Sequence, residues 1–383
     1  MSSISAQLQG KECVMSASKV YFADLRTSVK ENLPTKIVRL ADRMGLDHIV
    51  PKRGLVAVKL HFGEKGNTAF VRPTLVRRIV ERVKSLGAYP FLTDSNTLYA
   101  GTRSDSVSHL RTAIENGFAF SVVDAPIIIA DGLRGASYES VKISGDLVKT
   151  AYIGTDIVEA DSIISLAHFK GHELSGFGGA IKNLGMGCAS RRGKMVQHSD
   201  LSPKVTRKKC IGCGECLEHC SQSAISLKDE KAEIHQAKCI GCGECILICS
   251  NGAINVQWNA DISLFQKKMV EYTVAVLKGK EGRIACINFL THISPACDCY
   301  GHSDAPIVPD IGILASMDPV AIDQASVDMV NRQKGLDGSC LTDQKEIGED
   351  KFRGLYPKVD WTIQLDYGEK VGLGRRDYEL IPI

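Results

Sequence analysis

Short apolar runs alternate with amphipathic segments along most of the chain. The run Leu55–Leu60 (LVAVKL) predicts a buried strand, and residues 73–86 repeat apolar positions at helical spacing. A proline opens that segment and a glycine follows it, as is common at the two ends of a helix. The same alternation predicts strands at 89–93, 162–167, 284–288 and 311–314, and helices at 105–115, 261–277 and 319–331, the last with Asp318 as its N-cap. Strands that alternate with helices favour an α/β fold with a mostly parallel sheet.

Between residues 204 and 258 this alternation gives way to a cysteine repeat. The chain has 14 cysteines, and eight of them form two copies of the spacing C-x2-C-x2-C-x3-C. Bacterial ferredoxins with two clusters have this spacing, and in them the fourth cysteine of each run binds the cluster of the other run. We therefore expect two [4Fe–4S] clusters, with structural zinc as the alternative. The expected ligands are Cys210, Cys213, Cys216 and Cys249 for one cluster and Cys220, Cys239, Cys242 and Cys245 for the other.

The sequence around the cysteines fits a small α+β domain. Glycines within both runs allow backbone N–H groups to approach cluster sulfurs. We expect each fourth cysteine to open a short helix, and the apolar tails 224–227 and 253–256 to form short strands. This predicts a ferredoxin-like domain at 204–258 that interrupts an α/β host domain formed by residues 1–203 and 259–383.

Composition and charge exclude several classes of protein. The chain is 44% hydrophobic and 24% charged, and its 47 basic and 44 acidic residues give a net charge of +3. This balance is too even for a nucleic-acid or membrane-surface protein, and no apolar stretch approaches the length of a bilayer span. The first residues lack the basic and apolar regions of a secretory signal. We therefore expect a cytoplasmic protein without a nucleic-acid or membrane partner.

Polar side chains follow the predicted strands, where open α/β sheets form their sites. Two groups, at 59–67 and 94–103, suit solvated loops as well as a site. The third group carries His168 and His172, then a glycine-rich turn, then Lys182 at the start of a helix. Glycines before a helix N-terminus predict an anion site, to which Lys182 adds a charge or an amine nucleophile. The alternative is that the glycines serve packing and the histidines hydrogen bonding.

A C-x-C pair, Cys297 and Cys299, follows the cysteine repeat between a proline and a glycine that favour a bend. Together with Cys188, the pair is a candidate to bind a third metal or cluster, completed by a histidine or an open coordination position. A redox dithiol and a pair without any ligand are the alternatives. Three cysteines show no partner in the sequence: Cys13, Cys340 and Cys286, the last in an apolar strand.

Five strings in the host domain resemble a known family. HFGE, TDSNTLY, HFKGH…GFGGAIKNLGMGCASR, SPACDC and DIGILASMDPVAIDQAS are similar to the uncharacterised iron–sulfur-centre proteins defined by domain of unknown function 362. Members of this family often carry a ferredoxin insert. The run from His172 to Lys182 is also similar to lactate racemase and its relatives, in which a lysine anchors a nickel-pincer nicotinic cofactor. That similarity implies an anchoring or catalytic role for Lys182 and a place beside the substrate for His172, although the other racemase motifs are not evident.

The leading hypothesis is an iron–sulfur oxidoreductase. An external one-electron donor or acceptor protein, docking near residues 204–209, would exchange electrons with the clusters, which would serve a site that acts on an unknown small molecule. The alternatives are an electron-carrier or binding protein without its own catalytic site, and a metal- or cluster-handling protein. A carrier needs only the cysteine repeat, so the large host domain favours an enzyme. The expected site consists of His168, His172, Lys182, Cys188, Cys297 and Cys299.

Overall fold

The fold is built on one large sheet. A computed structural model of the chain describes residues 17–198, 202–257 and 261–383. In these ranges the sheet has eight strands. In chain order they are β1 (Ser18–Asp24), β2 (Leu55–Leu60), β3 (Tyr89–Asp94), β4 (Ile127–Ile129), β5 (Ser162–His168), β6 (Ile284–Leu290), β7 (Gly312–Ser316) and β8 (Tyr378–Pro382).

The order of the strands across the sheet is β8-β1-β7-β6-β5-β2-β3-β4. Strand β7 runs antiparallel to both of its neighbours, and the other neighbouring pairs are parallel. The predicted α/β fold with a mostly parallel sheet is therefore confirmed. From β2 the chain first adds β3 and β4 on one side and later adds β5 and β6 on the other. In open α/β sheets, a crevice forms at the carboxyl ends of the strands where the order reverses in this way.

Helices cover both faces of the sheet. Because each face is covered, alternate residues of a strand enter different cores: in β2, Val56 and Val58 pack on one side and Ala57 on the other. Within the described ranges, no helix is long and apolar enough to cross a membrane. The described helices are α1 (Leu33–Met44), α2 (Leu46–Ile49), α3 (Pro73–Ser85), α4 (Ser106–Ala113), α5 (Phe120–Val123), α6 (Thr155–Glu159), α7 (Ala180–Gly185), α8 (Arg191–His198), α9 (Glu215–Glu218), α10 (Glu244–Ile248), α11 (Ile262–Leu277), α12 (Pro319–Asn331), α13 (Lys351–Leu355) and α14 (Thr362–Lys370), with a π-helical turn at Ile114–Phe118.

Residues 202–257, here called the cysteine unit, form a separate small structure. Lys204–Val205 pairs with Ile254–Asn255, and Ile225–Lys228 pairs with Lys231–Ile234, both antiparallel. The third cysteine of each run, not the fourth, lies in the short helix, since Cys216 is in α9 and Cys245 is in α10. The fourth cysteines follow these helices, which corrects the expectation that they open them. The boundary expected at residue 258 lies outside the described residues.

Two further hairpins complete the described structure. Tyr138–Lys142 pairs with Thr150–Gly154, and Lys170–His172, directly after β5, pairs with Gly176–Gly178, which leads into α7. The second hairpin lies beside the point where the strand order reverses. It therefore brings the polar residues after β5 to the carboxyl edge of the sheet.

Candidate functional site

A cleft of about 580 Å³ opens at the carboxyl edge of the sheet. Its size is that of a small-molecule site. The end of β2 contributes Lys59, the end of β3 contributes Asp94, and the hairpin after β5 contributes His172. The segment after β6 contributes Cys297 and Cys299. The cleft therefore collects side chains from the strands on both sides of the point where the strand order reverses.

The two sulfur atoms of the C-x-C pair lie together in this cleft. The Sγ atoms of Cys297 and Cys299 are 3.0 Å apart, with the Cys297 thiol donating to Cys299. The backbone N–H of Cys299 points to the Cys297 Sγ at 3.4 Å, and the Tyr300 N–H bonds the Cys297 carbonyl at 3.1 Å. The loop therefore turns tightly and presents both sulfurs on the same side. Cys297 is buried, whereas Cys299 is partly exposed.

A neutral histidine contacts Cys299. The Gly63 N–H donates to the His61 Nδ1 at 3.0 Å, so the ring proton lies on Nε2, which faces the Cys299 Sγ at 3.3 Å. Burial, helped by the Arg103 charge, lowers the pKa of His61 to about 3. The Cys297 hydrogen bond, supported by the Lys182, Arg103 and Lys170 charges against the effect of burial, lowers the pKa of Cys299 to about 5. Cys299 is therefore the thiolate of the pair at neutral pH.

Lys182 lies in α7, as the sequence predicts, and its side chain reaches the same pair. Its Nζ is 3.2 Å from the Cys297 Sγ. Burial disfavours the charged amine, but the Cys297 and Cys299 sulfurs outweigh burial and raise the pKa of Lys182. The lysine is therefore a fixed cation beside the dithiol, and a neutral amine nucleophile is not favoured.

The residue between the two cysteines anchors their loop. Asp298 is fully buried and accepts hydrogen bonds from the His168 Nδ1 at 2.9 Å, with the Lys170 Nζ 3.2 Å away. Although burial opposes ionisation, His168 and Lys170 hold the pKa of Asp298 well below its usual range. The His168 Nε2 faces the carbonyls of Thr291 and His292. His168 therefore ties the loop to β5 and does not line the cleft.

His172 does line the cleft. Its Nδ1 accepts the backbone N–H groups of Leu174 and Ser175, each at 3.2 Å, so its Nε2 carries the ring proton. Burial, together with the nearby Lys182, lowers the pKa of His172 well below the ordinary value. The ring is therefore a neutral hydrogen-bond donor at the site.

Charge in the cleft is predominantly positive. Lys59 forms an ion pair of 3.0 Å with Asp94, which also receives Arg103 at 3.3 Å. Arg103 further contacts Glu64 at 3.2 Å, outside the lining. Burial lowers the pKa of Lys194 to about 8, against the pull of nearby carboxylates. Among the described residues, the lining cations Lys59, Arg103, Lys170, Lys182 and Lys194 outnumber the lining carboxylates Asp94 and Glu173.

The expected anion site at the start of α7 is already filled from within the protein. The Asp323 carboxylate accepts the N–H groups of Ala180 at 2.7 Å and Ile181 at 3.0 Å. A Cβ at Gly179 would lie 2.2 Å from this carboxylate, so the glycine there makes room for Asp323 and not for a ligand. The prediction of an external anion at this turn is therefore wrong, because a side chain far away in sequence supplies the charge.

The structure does not bring Cys188 to the C-x-C pair. Cys188 is fully buried among apolar side chains, and burial raises its pKa to about 11. Cys286 is buried in β6, and Cys340 is exposed. Cys13 lies outside the described residues. Lys182, Cys297, Cys299 and His172 thus share one cleft, whereas Cys188 and His168 lie apart from it.

The eight cysteines of the repeat line two small cavities. Each cavity receives three cysteines of one run together with the fourth cysteine of the other run. In the described part of the chain, no group of three or more His, Cys, Asp or Glu side chains is arranged to hold a metal ion. One cavity is lined by Cys210, Cys213, Cys216 and Cys249, and the other by Cys220, Cys239, Cys242 and Cys245.

Backbone N–H groups point at several of these sulfurs in a repeated pattern. Ala224 N–H donates to the Cys220 Sγ at 3.3 Å, and Ala253 N–H donates to the Cys249 Sγ at 3.2 Å. The Gly241 N–H likewise donates to the Cys239 Sγ at 3.4 Å. The glycines of both runs have positive φ, which other residues adopt at a cost, so each loop can turn its N–H groups inward. Their φ values are 73° for Gly212, 87° for Gly214, 68° for Gly241 and 73° for Gly243.

Leu98 joins the cleft to the cysteine unit. It lines the cleft and also packs in the small core of the cysteine unit. A Cβ on Gly243, in the wall of the second cavity, would lie 3.3 Å from the Leu98 side chain. The Arg191 Nη2 donates both to the Leu98 carbonyl at 3.1 Å and to the Gly243 carbonyl at 3.5 Å. Sequence reasoning missed Leu98, Lys194 and the anchoring role of Asp298, since each acts through a contact distant in sequence.

Comparison with known proteins places this site in a family without an assigned activity. The domain of unknown function DUF362 matches residues 56–328, which include the cleft and the cysteine unit. The search of curated proteins finds no match. Among solved structures, the lactate racemase apoprotein from Thermoanaerobacterium thermosaccharolyticum is similar over 69% of this chain at 16% identity, with a TM-score of 0.33. The match spans 56% of the length of that protein.

Proposed function

Because this chain belongs to the DUF362 family, which is defined by a domain of unknown function, we propose its function from the site itself. The chain is an iron–sulfur oxidoreductase in which two [4Fe–4S] clusters exchange electrons between an external one-electron partner protein and a small anionic molecule in the cleft. When bound, the clusters supply one-electron transfer. The ferredoxin-like unit at 204–258 and the host domain at 1–203 and 259–383 divide these tasks.

The two cysteine cavities fit this proposal. A [4Fe–4S] cluster binds each thiolate through a different iron atom, so its four ligands surround a cavity and do not converge on one ion. The N–H groups aimed at Cys220, Cys239 and Cys249 would stabilise the negative charge of the sulfurs. Cys213 is exposed in the lining of one cavity, four residues after the basic run 204–209 where the partner protein would dock.

The observation that carries the proposal is the position of Leu98. One side chain forms part of the wall of the cleft and part of the core around the cysteines. Arg191, which bonds the backbone on both sides of this contact, fixes the two parts relative to each other. A carrier that only passed electrons to the outside would need no cleft behind its cluster site.

In the cleft, the chain's own residues bind an anion. The excess of lysine and arginine favours a carboxylate or phosphate group. Both His172 and His61 line the cleft with the ring proton on Nε2; the His61 Nε2–H faces the Cys299 Sγ, which leaves His172 as the donor for a bound anion. Lys182 holds positive charge beside the dithiol. Fixed charges and hydrogen-bond donors stabilise a bound anion more strongly in a buried site than in water.

The proposal is tested by anaerobic purification with quantification of iron and sulfide, followed by electron paramagnetic resonance. We expect about eight irons per chain and a signal from two reduced clusters. Cys245→Ser should lose about half of the iron, whereas Cys340→Ser, at an exposed cysteine outside both cavities, should keep all of it. Zinc in place of iron, or no metal at all, would overturn the proposal.

A further inference from the structure

We propose that Cys297 and Cys299 form a redox dithiol that reduces a small disulfide carrying negative charge. The proposal deepens the proposed function, and it rests on that function only for the return of electrons to the dithiol. It concerns the two cysteines outside the cysteine unit that share the cleft. Thiol–disulfide exchange itself requires only the two cysteines, a substrate disulfide and the residues around them.

The geometry of the pair suits reversible disulfide formation. The two Sγ atoms are 3.0 Å apart and would need to approach to about 2.0 Å, the length of a disulfide bond. The backbone does not need to rearrange over a long distance, because the turn after Cys297 already directs both sulfurs into the cleft. Asp298, tied to His168 and Lys170 beneath the loop, holds this arrangement in place.

The surroundings divide the roles between the two sulfurs. Cys299 is partly exposed and accepts hydrogen bonds from the Cys297 thiol and from the His61 Nε2–H. It is therefore the attacking thiolate. Cys297 is buried behind it and keeps its proton, so it is the second, resolving thiol. The Lys182 ammonium, 3.2 Å from the Cys297 Sγ, stabilises that sulfur when it loses its proton.

The exchange proceeds in two balanced steps. The Cys299 thiolate attacks one sulfur of the substrate disulfide, which breaks the S–S bond, forms a mixed disulfide and releases one thiolate. That thiolate takes up the Cys297 proton, and the Cys297 sulfur then attacks the Cys299 Sγ, forms the Cys297–Cys299 disulfide and releases the second thiolate. The substrate gains two electrons and the protein pair loses two. Restoring the Cys299 thiolate and the Cys297 thiol takes two electrons and one proton, and the external one-electron donor named above would be the reductant; clusters held by the cysteine unit would supply one-electron transfer.

The positive charge around the Cys297–Cys299 pair indicates which substrate disulfides the cleft would accept. Lys170 and Lys182 line the cleft near the pair, and Arg103 approaches it from the other side through Tyr99, whose OH bonds the Cys299 carbonyl at 3.0 Å. Carboxylates on the substrate would be attracted to these cations, and ammonium groups would be repelled. The cations also count against a third metal, because an ammonium at the Cys297 sulfur competes with a metal ion for the same electron density.

The test uses two small disulfides of similar size and opposite charge, 3,3′-dithiodipropionate and cystamine, with the anaerobically isolated protein. Peptide mass mapping follows formation of the Cys297–Cys299 disulfide, and free glutathione gives the reference rate for each probe. Relative to that reference, we expect the anionic probe to react at least about tenfold faster, with the preference shrinking at high salt. Cys297→Ser should accumulate the mixed disulfide on Cys299, whereas Cys299→Ser should not react in the cleft, and Cys340→Ser should behave as the wild type.

The failures of this inference and of the proposed function are distinguishable. If the purified chain holds about eight irons but the pair forms no disulfide with either probe, or reacts faster with cystamine, the dithiol proposal is wrong and the clusters stand. If the pair forms its disulfide with the anionic probe preferred but the chain holds no iron, the proposed function fails and the dithiol stands. The probe comparison needs only the wild-type protein, so a variant that does not fold leaves the test intact.

Discussion

Replacing Asp298 with asparagine tests what holds the C-x-C loop. The Asp298 carboxylate is fully buried between His168 at 2.9 Å and Lys170 at 3.2 Å. Asparagine keeps the shape but removes the charge, so the Lys170 ammonium loses its buried counter-ion. Loss of one partner from a buried ion pair costs about 3–5 kcal/mol. Because the asparagine amide keeps one hydrogen bond, Asp298→Asn should cost about 3 kcal/mol. For a chain of this size, the melting temperature should fall by roughly 4 °C.

The assay is chemical and thermal unfolding followed by far-ultraviolet circular dichroism at pH 7, with Asp366→Asn as the matched control. Asp366 also pairs with a cationic side chain, that of Arg376, but the Asp366 side chain is 57% exposed, so its loss should cost below about 1 kcal/mol. A second measurement is the alkylation rate of Cys299, which should differ from the wild-type rate in Asp298→Asn and equal it in Asp366→Asn. If both variants unfold alike, the buried pair is not what fixes the loop, and the reasoning is refuted.

Three further predictions concern separate parts of the molecule. The Cys297 hydrogen bond and the Lys182 charge hold the pKa of Cys299 at about 5, so Lys182→Met should raise that pKa. Alkylation of Cys299 by iodoacetamide near pH 5 should then slow by about tenfold. Burial raises the pKa of Asp323 to about 6, so the stability that this carboxyl contributes is lost as the pH rises from about 4 to 6. Asp323→Asn should remove that loss from the free energy of unfolding measured against pH. Leu98→Ala should cost about 2–4 kcal/mol and speed proteolysis of residues 202–257; unchanged proteolysis would count against the Leu98 contact.

Local patterns explain why much of the sheet could be predicted from the sequence. The apolar run of β2 and the helix after it carry their own start and stop signals, and the structure places α3 at Pro73–Ser85. Asp318 accepts the Val320 and Ala321 N–H groups, so the predicted N-cap of α12 is confirmed. Strands β1 and β8 escaped prediction because their burial is irregular and they pair with each other across nearly the whole chain.

The candidate site, like the sheet, has a part that local sequence predicts and a part that depends on residues far apart in the chain. Cys297 and Cys299 are two residues apart, so a single bend suffices to join them, and the sequence indicates that bend. The contacts of His168 with Asp298 and of the α7 N-terminus with Asp323 join residues more than 100 positions apart. Nothing local marks such partners, and each changes the role expected from the sequence. His168 becomes an anchor, and the glycine-rich turn binds a carboxylate of the chain itself.

The position of the cysteine unit in the chain explains why it lies beside the cleft. It follows α8, whose residues Lys194 and His198 line the cleft, and it precedes α11, which packs against α7 and so against the helix that carries Lys182. Both ends of the unit are therefore attached to helices that are themselves fixed at the site. Covalent connection at two points restricts the unit more strongly than a single flexible linker would. Insertion between these two helices thus keeps the two cysteine cavities close to the carboxyl edge of the sheet, and the contact through Leu98 selects one orientation among those the two attachments permit.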